Sequence, residues 1–154
     1  MKTTITALLI AAAVSASAQK AGIEVPAAAK AAFEKAHPNA QHVKWSLEDQ
    51  DFEAEFDQDG QEMSVVVDAA GAIKETELEL KVNLLPNPIH EYVMNKYPGK
   101  KIKEGAKITL ADGTVKYEAE VGGEEGDLLF DSQGHFIGQE KDEDKDGDEK
   151  DEKD

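Results

Sequence analysis

The chain repeats itself, and that constrains its fold more than any other feature. Val25-Pro26 is followed by Ala28, Ala29, Ala32, Phe33 and Ala36 on one helical face, and the run closes on His37-Pro38. Leu85-Pro86 is followed by Ile89, Tyr92, Val93 and Lys96, and closes on Tyr97-Pro98. Pro26 and Pro38 thus return as Pro86 and Pro98, each sixty residues on. Each segment reads as a short amphipathic helix, with proline tolerated in the first turn and forbidding continuation at the end. Asn87-Pro88 reads as a cap followed by a first-turn proline, and His37 stands where Tyr97 stands, as a packing residue.

After each helix the apolar period changes from about 3.6 to 2, which marks strands. Val43, Trp45 and Leu47 alternate with polar residues, and after the turn Glu48 to Asp51 so does Phe52-Glu53-Ala54-Glu55-Phe56, answered by Tyr117-Glu118-Ala119-Glu120-Val121. Asp57-Gln58-Asp59-Gly60 turns into Met63 to Val67, and Asp68-Ala69-Ala70-Gly71 turns into Ile73. The last turn recurs as Asp131-Ser132-Gln133-Gly134, with Phe136 in place of Ile73. Each unit is therefore one helix and about four antiparallel strands. Sixty residues bury little alone, so an α+β fold is expected in which two tandem units, about 23–82 and 83–140, share one antiparallel sheet and a common core, with both helices on one face. Alternation of Leu78, Leu80, Val82 and Leu84 predicts a long last strand in the first unit. The alanines of the first helix predict a weaker docking than that of the second.

The flanks differ in kind. Lys2, the apolar run Ile5 to Val14 and Ala16-Ser17-Ala18 match a secretory signal peptide, residues 1–18, cut before Gln19. The run is too short to span a bilayer, and with no cysteine in the chain no lipid anchor, disulfide or thiolate metal site is expected. A periplasmic or secreted location follows. Residues 141–154 hold only Lys, Asp, Glu and one Gly, the composition of a disordered acidic tail. Within it Asp142, Asp144, Asp146 and Asp148 sit at the offsets of the first half of an EF-hand loop. Position twelve is Lys153, however, and no apolar helix flanks the string, so weak calcium binding is the most that is expected there, and otherwise no cofactor.

The formal net charge of −16 opposes binding to nucleic acid or an anionic membrane. Arginine is absent, which removes the usual fork for phosphate or carboxylate ligands. Ser46, Ser64 and Ser132 lack a nucleophile elbow and read as surface or turn residues. His37, His42, His90 and His135 show no helical zinc spacing. Trp45, in the middle of an apolar alternation, reads as core rather than as a ligand platform.

Leu/Val-Pro, an amphipathic helix, aromatic-Pro or His-Pro, a Tyr/Phe-Glu-Ala-Glu strand and an apolar-Asp-x-x-Gly turn together resemble the PepSY-like family of secreted bacterial proteins, described as resembling β-lactamase inhibitors. The resemblance covers about Val25 to Glu140. It implies a helix-plus-sheet unit, often in tandem, acting outside the cytoplasm without catalysis, in inhibition or regulation of peptidases. It assigns no site residue.

The residues themselves point to one surface. If the helices take the face of Phe52, Ala54, Phe56, Tyr117, Ala119 and Val121, alternation sends Glu53, Glu55, Glu118 and Glu120 to the other, with Glu75, Glu77 and Glu79 added by the following strand. The expectation is a solvated acidic face that binds an exported protein with a basic surface. A weak extracytoplasmic calcium binder and an enzyme with a carboxylate site are the rival readings.

Overall fold

Pro26 and Pro86 each precede a ten-residue helix in the computed structural model, which describes residues 23–122 and 126–140. The signal-peptide residues 1–18 and the tail residues Asp142, Asp144, Asp146 and Asp148 lie outside the described residues. In chain order the elements are α1 (Ala27–Ala36), β1 (Gln41–Glu48), β2 (Asp51–Gln58), β3 (Gln61–Val67), β4 (Ile73–Leu80), a single 3-10 turn (Val82–Leu84), α2 (Asn87–Lys96), β5 (Ile102–Leu110), β6 (Val115–Val121), β7 (Asp127–Asp131) and β8 (Phe136–Glu140). All eight strands form one antiparallel sheet in sequence order. The two units meet where β4 pairs with β5, from Glu75 opposite Leu110 to Leu80 opposite Gly105.

Local chemistry sets the ends of these elements. Both helices stop on a residue with φ near −127°, His37 or Tyr97, whose N–H donates to the carbonyl four residues back. The following prolines cannot extend the helix. Asn87 is the first helical residue rather than a cap; Pro86 holds the cap position, and no side chain bonds the first turn. The last strand of the first unit is shorter than its alternation predicts, because the chain tightens into the 3-10 turn and leaves Leu84 exposed. Asp59 and Gly60 both have positive φ, 54° and 77°, the mirror-type turn whose twist matches flanking strands.

The Asp-x-x-Gly motif has a structural explanation. Asp68 Oδ1 accepts from the N–H of Ala70 and Ala72, and Asp131 Oδ1 accepts from the N–H of Gln133 and His135. The turn glycines, Gly71 and Gly134, have φ of 88° and 84°. Each also lies against the first turn of its own helix. A β-carbon on Gly71 would stand 2.7 Å from the Ala28 carbonyl oxygen, and one on Gly134 would stand 3.1 Å from Pro88 Cβ. Only glycine allows both the left-handed backbone and the close approach.

Both helices pack on the same sheet face. Phe56, Met63, Leu78, Lys107, Tyr117, Phe130 and Phe136 lie on one row of paired residues, so Phe56 beneath α1 and Phe130 beneath α2 point the same way. Val25, Ala29 and Phe33 bury against Ala54, Phe56, Val65 and Val67. Leu85, Ile89 and Val93 bury against Ala119, Val121, Leu128 and Phe130. The apolar interior is thus two clusters on one sheet, not the single shared core the sequence suggests. Between them the helix-side positions of β4 and β5 mix Leu78 with Thr76, Thr109 and Lys107, so no continuous buried apolar surface joins the two clusters. The alanines of α1 do not leave it detached: Ala29 is fully buried, and Phe33 meets Trp45 and Phe56 edge-on at 5.3 and 5.0 Å. Trp45 is half-buried against this cluster, as its alternation predicts.

Candidate functional site: carboxylates on the face opposite the helices

Residue pairing fixes which side chains share the face away from the helices. Ser46, Glu53, Val66 and Glu75 form one row across β1 to β4. Glu55, Ser64, Glu77, Ile108 and Lys116 form the next, and Glu79, Ala106, Glu118 and Leu129 the one after. The expected carboxylates therefore do gather on one face.

They are not uniformly solvated. Glu53 is 0 % exposed, Glu77 3 % and Glu118 4 %, alongside buried Ser64, Val66, Ala106 and Ile108. Among the described residues no helix or further strand lies over this face, so the shielding fits a sheet coiled about its own side chains. In a flat sheet β1 and β4 stand about 14 Å apart, yet the Glu48 charge helps to raise the pKa of Glu77. Alternation alone assigns a face; it does not register coiling, which is why a wet surface was the natural expectation.

Burial and like charge act together here. Burial pushes Glu77 well above the usual carboxylate range, and the charges of Glu118, Glu75, Glu53 and Glu48 push it further. Glu48 is pushed up to about 7, first by burial and then by Glu53 and Glu75. Burial also raises Glu53, opposed by the Ser46 hydroxyl, which donates to Oε2 at 3.0 Å. Glu53 Oε1, Glu77 Oε2 and Glu48 Oε2 are buried without a hydrogen-bond partner. Such oxygens are expensive to leave unsatisfied.

The remaining acidic residues lie at the margin of this group. Glu79 is pushed up to about 7, first by a hydrogen bond shared with Glu62. Glu120 pairs with Lys103 at 2.9 Å, and Glu55 is half-buried in the row of Ser64 and Glu77. Glu75 is half-buried beside Glu53 and Glu77.

Sequence reasoning missed Glu48, Glu62, Ser46 and Ser64. Glu48, which the sequence assigns to a turn, ends β1, and Ser46 and Ser64 line the carboxylate face instead of a free surface or turn. Their signal was present: Ser46 alternates with Trp45 and Leu47, and Ser64 with Val65, so both had to oppose the helices.

The other candidates do not assemble. Among the described residues no three acidic or histidine side chains converge as metal ligands would. His37 packs on Phe33 and Phe56, taking the place of Tyr97 as expected. His42, with φ of 54° at an irregularity of β1, meets Asp57 at 2.7 Å, and His135 meets Asp131 at 3.0 Å. A hollow of about 560 Å³ opens beside His42 and Asp57, and another of about 450 Å³ lies between α1 and Trp45. Neither is lined by the buried carboxylates.

Residues 21–75 and 53–138 each match the model of the PepSY-like family, described as β-lactamase-inhibitor-like. The chain belongs to the PepSY-like family. The two matches overlap at residues 53–75, across β2, β3 and the start of β4. No curated protein matches the chain closely. Three solved structures share the PepSY-like architecture. A protein from Bacteroides eggerthii described as periplasmic is 15 % identical, with 76 % of this chain and 88 % of that one covered and a TM-score of 0.68. A protein from Bacteroides uniformis is 20 % identical, with 75 % and 88 % covered and a TM-score of 0.67. A BLIP-like protein from Bacteroides fragilis is 25 % identical, with 75 % and 86 % covered and a TM-score of 0.62. Among the described residues of this PepSY-like chain, no helix is long and apolar enough to cross a membrane.

Proposed function

We propose that this PepSY-like chain is a periplasmic, non-catalytic module that binds another exported protein through the sheet face opposite its helices. One observation carries the reading: Glu53, Glu77 and Glu118 are buried on a face over which no described element lies. Glu53 and Glu77 each hold a buried carboxylate oxygen with no hydrogen-bond partner, which destabilises the fold, and a basic partner surface relieves such a group. A net charge of −16 favours attraction of a basic protein over long range and repels nucleic acid. The family's description as β-lactamase-inhibitor-like supports inhibition or regulation of the partner as the form this binding takes.

Capture from periplasmic extract, with the native protein compared against a Glu53→Gln, Glu77→Gln, Glu118→Gln variant, tests the reading. The partner should be retained by the native protein at low salt, lost in high salt, and retained at least tenfold less by the variant. A partner held equally by both proteins and at all salt concentrations would move the binding surface to the loops or the helix side.

A further inference from the structure

β1 pairs with β2 on one side, and among the described residues no strand pairs with its other side. Its counterpart in the second unit is β5, since Trp45 pairs with Ala54 as Gly105 pairs with Ala119, within the repeated Glu-Ala-Glu strand. β5 is not an edge: β4 lies along it, from Leu80 opposite Gly105 to Glu75 opposite Leu110. The molecule thus contains, once, the arrangement that β1 lacks.

Packing differs accordingly. Leu80 of β4 packs against the second apolar cluster, and Gly105, Ala106 and Ile108 of β5 are buried. On β1 the corresponding Trp45, Ser46 and Glu48 are only half-buried, while Leu47 is 52 % and Val43 37 % exposed. The hollow of about 450 Å³ between α1 and this strand, lined by Lys30, Phe33, His37, Val43 and Trp45, lies beside them. Edge strands are commonly blunted by a bulge or a lysine, and β1 has both, an irregularity between Gln41 and Lys44 and Lys44 itself. Yet β5 has its own irregularity, between Ile102 and Glu104, and accepts β4 just beyond it. Lys44 to Glu48 pair with β2 without interruption, so a regular edge remains beyond the irregularity of β1 as well.

We propose that the open edge of β1 accepts an extended segment of a partner protein, running antiparallel to β1 in the register that β4 adopts on β5. This contact is separate from the face opposite the helices. In that register apolar partner residues stand opposite Trp45 and Leu47, as Leu80 and Leu78 stand opposite Gly105 and Lys107. Main-chain hydrogen bonds supply the affinity and alternate side chains the selectivity. Charge sets the direction: exposed His42 and Lys44 lie at one end of the edge and exposed Asp49 at the other. The antiparallel segment therefore begins with a basic residue near Asp49 and ends with an acidic one near Lys44. A second copy of this chain is a poorer occupant, because two chains of net charge −16 repel each other.

The probe is the peptide acetyl-Lys-Thr-Leu-Thr-Val-Glu-amide, titrated into the full chain and followed by backbone amide shifts and hydrogen exchange. Saturable shifts should fall on Val43 to Asp49, and the amides of β1 should exchange about tenfold more slowly. Methylation of the backbone nitrogens of alternate peptide residues distinguishes strand addition from adhesion: one alternate set should weaken binding about tenfold or more and the other leave it nearly unchanged. Leu47→Lys, at an exposed position, should weaken binding about fivefold or more, whereas Met94→Lys, exposed on α2, should not. The reversed peptide, acetyl-Glu-Val-Thr-Leu-Thr-Lys-amide, should bind several-fold more weakly. Absent or unsaturable shifts, equal loss from both methylated sets, equal binding of the reversed peptide, or native affinity in Leu47→Lys would each overturn the assignment. Self-association of the native chain in sedimentation, abolished by Leu47→Lys, would give the edge to a second copy instead. The Glu53→Gln, Glu77→Gln, Glu118→Gln variant should bind the peptide as the native chain does, and loss of binding there would move the peptide to the sheet face and overturn the edge assignment.

Discussion

The two units have matching helix sides and opposite sides that match only in part. Beneath the helices the buried positions correspond one to one: Val25 with Leu85, Ala29 with Ile89, Phe33 with Val93, Ala54 with Ala119, Phe56 with Val121, Val65 with Leu128 and Val67 with Phe130. Volume is redistributed within that frame, with the large rings of the first unit on the helix and β2 and that of the second on β7. Trp45, opposite Ala54 on the edge strand, corresponds to Gly105, opposite Ala119 on an interior strand. A β-carbon on Gly105 would stand 2.7 Å from Leu85 Cδ1, so the second unit fills with Leu85, just ahead of α2, the space the first fills with an indole. Across the sheet the matching is partial, with Glu53 and Glu55 returning as Glu118 and Glu120. Ser46 and Glu48 of the first unit correspond to Ala106 and Ile108 of the second, and Glu53 has a hydroxyl partner in Ser46 where Glu118 faces Ala106. The side that must hold a helix keeps its buried positions in both units, and on the side with no helix to hold the glutamates of β2 and β6 repeat while β1 and β5 carry different chemistry.

The largest effect should come from unequal ring use in the helix-side clusters. Phe33 touches Trp45, His37 and Phe56, so Phe33→Ala should cost about 3–5 kcal/mol. The matching Val93→Ala removes fewer atoms and should cost about 2 kcal/mol. Urea unfolding of the two variants measures both, and equal costs would mean that the clusters do not divide their volume as described.

The turn glycines should separate by a smaller margin. Both sit at positive φ, but a β-carbon on Gly71 meets a backbone carbonyl while one on Gly134 meets a proline ring edge. Gly71→Ala should therefore cost about 2–3 kcal/mol and Gly134→Ala about 1–2 kcal/mol. The same unfolding assay reads the difference; a larger loss at Gly134 would reverse the order of helix approach.

The smallest effect is also the most unusual in sign. Glu48 has a folded-state pKa raised from 4.5 to about 7, and burial and its acidic neighbours hold Glu77 well above the usual carboxylate range. Between about pH 4.5 and 7 the folded chain then binds more protons than the unfolded chain, so stability falls as pH rises. The turn aspartates act oppositely: Asp68 and Asp131, lowered by backbone N–H donors, favour the fold above about pH 4 and lose that contribution in stronger acid. The urea midpoint should be higher at pH 5.5 than at pH 8, and Glu77→Gln should raise it at pH 8 and flatten the difference. A midpoint that rises from pH 5.5 to 8 would contradict the burial of these groups.

Much of this architecture was legible because it rests on local rules. Proline spacing gave the helices, period-2 runs gave the strands, and repeated Asp-x-x-Gly gave the turns that press against each helix. Alternation also placed Glu53, Glu77 and Glu118 on one face. What it could not supply was their depth, which depends on how the assembled chain encloses each side chain and not on alternation along one strand. The same limit hid Glu48: a residue at a strand end looks like part of a turn until its neighbours in β2 and β4 are in place. Separation of the two clusters depended on Lys107 and Thr109 pairing across from Leu78 and Thr76, a register that only the assembled β4–β5 ladder defines.

The account stands most directly on the protonation of the face opposite the helices. Carbon-13 detected titration of the side-chain carboxyls reads it residue by residue. Glu53 and Glu77 should titrate above the usual glutamate value and Glu48 near 7, with the Glu77 transition lowered when Glu118 is replaced by Gln. Ordinary titration of all three near 4.5, unchanged by that substitution, would show a solvated face and contradict the account.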